Sequence, residues 1–277
     1  MASALPSPRP SMATHHSAQT LSIEGADALA FAQAQFSGNV HTLAVGQWQF
    51  NAWLDAQGRV LALFHLARVA DDGLLLLLRG GDTASMAQSL QRFVFRAKVR
   101  LTAHAPISLG TGPALDTYAV TREGDGYTFG CGDHSLVVGA NQESDDWRLS
   151  QVLAGWPWLP ADALGALLPP ALSLERLRAV SFDKGCYPGQ EIVARLHYRG
   201  GHKRHMHCVV LSQHLTGGTL LRHGDKGAVH LLQVAGEGAR ALALAVIDDE
   251  LAGALENSTF DIDGNVITMH IEESWPA

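Results

Sequence analysis

The chain has 277 residues, 47% of them hydrophobic and 17% charged, with a formal net charge of −7. That length and apolar content suit one large folded domain or two to three small ones and exclude a disordered chain. No apolar run reaches the roughly 18 residues of a membrane helix, and the acidic balance excludes long-range attraction of the whole molecule to nucleic acid or an anionic membrane. The cysteines, Cys131, Cys186 and Cys208, are odd in number and widely spaced. They argue against a disulfide framework and fit a reducing compartment, so a soluble, cytoplasmic protein is expected.

Residues 1–18 mix Pro, Ser and His without apolar periodicity and lack the basic start and apolar middle of a secretory signal, which predicts a disordered leader. Residues 20–23 read as a short strand, and Asp27 caps a helix to about Phe36 with Leu29, Ala32 and Phe36 on one face. From 47 to 54, Trp48, Phe50, Ala52 and Leu54 alternate. A turn at 55–58 and a second alternating run over 59–69 complete a hairpin. The block 74–78 is apolar throughout, which predicts a strand buried on both faces. Asp82 or Thr83 caps a second helix carrying Met86, Leu90 and Phe93 inward, before a strand at 98–102. Strand, helix, three strands, helix, strand is an α+β order close to a ferredoxin-like sandwich.

Between 104 and 146 the signals are short, with strands at 117–121 and 135–138 among Gly-rich turns, and 147–153 reads as another strand. A Pro-rich link through Pro169 and Pro170 leads to Ser173, an expected N-cap, behind which Leu174, Leu177 and Val180 recur at helical offsets. Gly185 ends that helix, and Pro188 suits the first turn of the next, running to about Tyr198. Cys186 therefore falls just ahead of a helix N-terminus, where unpaired N–H groups and the helix dipole stabilise anions, and Lys184 adds a positive charge. Both effects favour the reactive thiolate. A purely structural reading competes: Gly-Cys-Tyr-Pro-Gly is a tight connection around a small buried residue.

Beyond Gly200 and Gly201 the texture is β-type, with runs at 206–211, 219–222, 229–234, 241–247 and 259–271, the last broken at 263–265. They suggest a small closed barrel and a boundary near Gly201, dividing the chain into 1–18, 19–200 and 201–277. Arg195, Arg199, Lys203 and Arg204, interleaved with His197, His202, His205 and His207, form a basic island. It suits an anion or a partner's acidic face, and equally a solvated helix end. No metal ligands are expected: His205 and His207 share a strand face, but Cys208 points away and no paired ligand spacing accompanies them. Nor do three scattered cysteines supply the roughly four ligands of an iron–sulfur cluster.

Residues 184–191, Lys-Gly-Cys-Tyr-x-Gly-Gln-Glu, preceded by Ser-Phe and followed by Ile-Val-Ala-Arg, resemble the signature of the YgfZ family of folate-binding proteins, relatives of the glycine-cleavage T-protein. Residues 23–40 resemble the opening of both groups. The likeness covers the N-terminal unit and the signature well and the remainder loosely. It implies a T-protein/YgfZ-like folate-binding fold of ferredoxin-like α+β modules with a C-terminal small β-barrel. It also implies a folate-dependent accessory role in iron–sulfur cluster assembly or repair, and through client enzymes in tRNA modification. Its partners would be iron–sulfur enzymes or assembly proteins, with no direct nucleic-acid contact and no membrane. Cys186 would be the working thiol and Lys184 its activator. Tetrahydrofolate or a related folate would be held by Trp147, Tyr187, Gln190, Glu191 and Arg195, the last reaching the glutamate tail.

Two departures stand out. Leu153 replaces the glutamate of the family's Glu-Ala-Gly, removing the carboxylate that pairs with a pterin. Ala62 and Leu63 replace the Asp-Asp pair of T-proteins, so an accessory factor is expected rather than a classical enzyme. Folate-dependent aminomethyl transfer is the alternative enzyme reading. A non-catalytic interaction module, with the basic island docking an acidic partner, is the other.

Overall fold

The computed structural model describes residues 17–139, 144–223, 228–236, 240–255, 258–262 and 264–276. Residues 1–16 of the expected leader lie outside the described residues, while Ser17–Ala18 already pairs as a short strand with the start of Ile107–Gly112.

The alternating runs near the N-terminus form one antiparallel sheet, ordered Gln47–Leu54, Val60–Ala70, Gly73–Gly80, Thr20–Glu24, Arg100–Ala103. Because side chains alternate along a strand, Leu74, Leu76 and Leu78 face one core and Leu75 and Leu77 the other. Helices α1 (Ala28–Gln35) and α2 (Thr83–Gln91) cover the first face through Ala28, Phe31, Ala32, Met86 and Leu90. The Asp82 side chain accepts from Ser85 N at 2.8 Å and caps α2, as expected. Asp27 does not cap α1 with its side chain; its carboxylate accepts from Lys98 N at 2.7 Å instead. Phe93 is not carried inward: α2 ends at Gln91, and the ring, two residues further on, is 44% exposed.

A second antiparallel sheet joins Ser17–Ala18, Ile107–Gly112, Ser135–Val138, Gly126–Gly130 and Val120–Glu123. The strand expected at 117–121 starts only at Val120, because Tyr118 adopts φ 72°. A third sheet runs Leu220–Arg222, Ala228–Ala235, Ala241–Asp248, Arg204–Leu211, Met269–Ser274, with the ribbon of Phe260–Ile262 and Asn265–Ile267 beside it. The molecule is thus α+β, with mostly antiparallel strands and few helices. One buried cluster draws on all three sheets, including Trp48, Phe129, Met206, Leu232 and Leu244.

Two further elements differ from expectation. Residues 147–153 form a helix, α3 (Trp147–Leu153), not a strand. Trp147, Gln151 and Val152 are buried while Leu149 and Leu153 are 44% and 49% exposed, the spacing of a helical face packed on Ala228–Ala235. The helix expected behind Ser173 is absent: a 3-10 turn, Pro169–Leu172, runs into successive turns. Ser173 and Arg178 are left-handed, at φ 52° and 54°, which interrupts a right-handed helix, and Ser173 Oγ has no partner among the described residues. Leu174, Leu177 and Val180 are buried all the same.

Candidate functional site

The segment from Ser181 to Gly189 is a loop held on two sides. On one side it meets the connection that follows α1. Ser181 N donates to Ser37 O at 2.9 Å, and Ser37 Oγ donates to Ala179 O at 2.7 Å. On the other side it meets the hairpin turn at 55–58. Gly189 adopts φ 79° so closely against this turn that a Cβ would lie 2.4 Å from Asp55 O and 2.7 Å from Gly58 Cα. Only glycine tolerates both demands. Helix α4 (Gln190–Arg199) starts after its N-cap Gly189, so Pro188 precedes the helix instead of forming its first turn, and Val193 is its buried anchor.

Lys184 is 3% exposed and points inward. Its ammonium donates to Gly38 O at 3.0 Å and to Phe36 O, and lies 5.0 Å from the centroid of Tyr187. Phe36 is the C-cap of α1, so the cation meets the negative pole of that helix. Burial lowers the Lys184 pKa to about 8 and raises that of Tyr187, whose hydroxyl has no partner among the described residues, to about 12. Among the described residues no hydrogen bond or ion pair joins Lys184 to Cys186. The expected activator is instead a clamp that fastens the loop to α1, because the buried carbonyls outcompete an exposed thiol for its donors.

Cys186 itself is exposed, whereas Cys131 and Cys208 are buried and their thiols are pushed up to about 12 and about 11. Burial disfavours those two thiolates and leaves Cys186 as the accessible sulfur. Of the expected ring-binding residues, Gln190 is half-buried, and Glu191 and Arg195 are exposed on α4. Trp147 is elsewhere. It is 1% exposed in α3, its indole donates to Ser144 O at 3.0 Å, and its ring lies 4.8 Å from Trp158. An indole so enclosed has no open face for a pterin. Leu153 ends the same helix, half-exposed.

A feature that sequence reasoning missed is a cavity of about 690 Å³ where the first sheet, the 158–164 segment and the third sheet meet. Arg79 packs beside it, fully buried. Its guanidinium donates to Pro157 O at 3.0 Å and Trp156 O at 2.6 Å, lies 2.9 Å from His65 Nε2, and stacks near Phe50 and Trp158. Burial lowers its pKa to about 9; burial, then the Arg79 charge, hold His65 well below its usual value. The signal was present in the sequence: a cation closes an otherwise wholly apolar strand. In volume the cavity fits a folate-sized molecule. Gln19 and Gln233 line it with polar side chains, and Asp82 is the one carboxylate among the described residues that do, while the N–H groups of Trp158 are committed to Gln151 and Gln233.

Three of the four histidines of the basic island are separately engaged. His197 meets Glu175 at 2.8 Å, His205 meets Asp249 at 2.6 Å, and His207 meets Ser274 at 2.8 Å. Among the described residues no three His, Cys, Asp or Glu side chains are grouped to hold a metal, and no helix is long and apolar enough to cross a membrane.

No protein-family model matches the chain. An uncharacterized protein of Haemophilus influenzae is 29% identical over 194 residues, covering 68% of this chain and 69% of its own. The tRNA-modifying protein YgfZ of Vibrio vulnificus is 26% identical over 82% of this chain and 76% of its own. That of Photobacterium profundum is 27% identical over 85% and 83%. Among solved structures, the glycine cleavage system aminomethyltransferase T of Bartonella henselae superposes with a TM-score of 0.66 at 14% identity, covering 92% of this chain and 82% of that one. The chain is a homologue of the YgfZ proteins, built on the fold of the glycine-cleavage aminomethyltransferase.

Proposed function

We propose that this protein is a folate-dependent accessory factor for the assembly or repair of iron–sulfur clusters in client enzymes, tRNA-modifying enzymes among them, with Cys186 as its working thiol. The observation that carries this reading is the contrast among the three cysteines. Two are buried and inert, and the third stands exposed on a loop clamped by Lys184 beneath and by the Gly58–Gly189 contact beside it. A rigid mount for one accessible sulfur suits transient holding of a sulfur or iron atom in passage to a client. The absence of carboxylates at Ala62 and Leu63, both buried in the sheet, speaks against aminomethyl transfer.

In cells lacking the native protein, Cys186→Ser is expected to restore an iron–sulfur-dependent tRNA thiolation to less than about a tenth of the wild-type level. Full rescue by the variant would end the thiol role. The folate part has its own test, tetrahydrofolate titrated against tryptophan fluorescence. Saturable quenching is expected, weakened about tenfold by Asp82→Asn, because Asn keeps the α2 cap while losing the paired acceptor of a carboxylate. No saturable quenching of the wild type would remove folate from the account.

A further inference from the structure

A second hollow, of about 240 Å³, lies along α4 and is distinct from the central cavity. Val180, Phe182, Val193 and Leu196 give it apolar walls. The carboxylates nearest its mouth already have partners, Glu175 in His197 and Asp249 in His205. His202 Nε2, by contrast, is buried there without a hydrogen-bond partner among the described residues. Beside the hollow, Arg195, Arg199 and Lys203 are exposed and make no ion pair among the described residues, whereas Arg204 meets Asp248 at 3.3 Å. Arg195 and Arg199, about one turn apart on α4, and Lys203 beyond its end put positive charge on a chain whose net charge is −7.

We infer that this hollow and its basic margin form a docking site for an acidic segment of a client protein, whose Tyr or Trp side chain enters the hollow. The volume is below the roughly 300–1,000 Å³ of a small-molecule site and suits one large side chain. Apolar walls with one unsatisfied nitrogen match an aromatic ring with a polar tip, the residue type that most often anchors an interface. Flanking acids supply the charge complement. A nucleobase fits less well, because the ring in the wall, Phe182, is already stacked on His197 at 4.2 Å. The inference rests on the reading that the protein serves client proteins.

The test uses the full chain carrying Cys186→Ser, so thiol chemistry plays no part, and a fluorescein-labelled peptide of Asp and Glu residues around a single Trp. Saturable anisotropy is expected. It should weaken about tenfold when the peptide's Trp becomes Ala, when Leu196→Trp fills the hollow, and when Arg199→Glu with Lys203→Glu reverses the margin. Should Leu196→Trp fail to fold, His202→Leu serves instead: it is expected to weaken the Trp peptide and to leave a Phe peptide unchanged. No saturable binding by the Cys186→Ser chain overturns the site, and binding indifferent to the anchor and to both hollow variants overturns the anchored mode. Preferential displacement of the peptide by oligouridylate overturns the protein occupant in favour of nucleic acid. Peptide binding that persists where the thiolation assay fails, or the reverse, separates this inference from the thiol reading.

Discussion

Arg79→Ala is expected to destabilise the protein by about 3–5 kcal/mol, as a fall in the urea midpoint with an unchanged slope. The guanidinium is fully buried and makes three polar contacts, with Trp156 O, Pro157 O and His65. Truncation orphans all three groups at about 1–3 kcal/mol each, partly offset because the fold no longer holds a buried cation without a carboxylate partner. It also removes the layer between Phe50 and Trp158 and leaves a void there. Arg79→Lys is expected to recover only part of the loss, since a single ammonium cannot reproduce the planar fork. A loss under about 1 kcal/mol for Arg79→Ala would show that the 156–158 segment is held by its indoles and its backbone bonds to Gln151 and Gln233.

Lys184→Met is expected to cost about 2–4 kcal/mol at pH 7, because Phe36 O and Gly38 O lose their donor while the chain length is kept. Loop 181–189 should at the same time become the first site of protease cleavage. The pH dependence carries a definite sign. Burial lowers the folded-state pKa of Lys184 to about 8, whereas the unfolded chain titrates near 10.5. Between these values the unfolded state holds a proton that the folded state lacks, so stability rises with pH. The wild type should therefore gain on Lys184→Met between about pH 8 and 10.5 and run parallel to it below about pH 7. Arg79 titrates in both proteins and cancels in the comparison. A difference that stays flat or shrinks across that window would mean the two carbonyls and the Tyr187 ring hold the ammonium charged.

The hairpin 47–69 was legible because its apolar residues alternate over two long runs, and Gln47–Leu54 has the boundaries expected for it. Helix α4 was legible from Pro188 and the run that follows it, although the helix begins only at Gln190, after Gly189. The run 147–153 was not, since seven residues with Trp, Leu, Gln and Leu at every second place satisfy either period. Packing on the third sheet made it a helix. Nor was the irregular course of 173–180 legible, because left-handed φ at Ser173 and Arg178 is not written in their types. Lys184 and Cys186 stand two residues apart, yet one is buried and the other exposed. The partner that turned the lysine inward lies 148 residues away.

Local sequence thus determined the elements whose periodicity runs unbroken, the α+β order of the N-terminal unit, and the one segment dense enough in unusual residues to be a candidate site. Tertiary structure alone decided which sulfur meets solvent, what the lysine beside it serves, and that Gln19, Asp82 and Gln233 wall one cavity. The physical reason is range. Backbone propensity and side-chain period act over a few residues, whereas burial and the pairing of polar groups depend on neighbours that only the assembled sheets bring together.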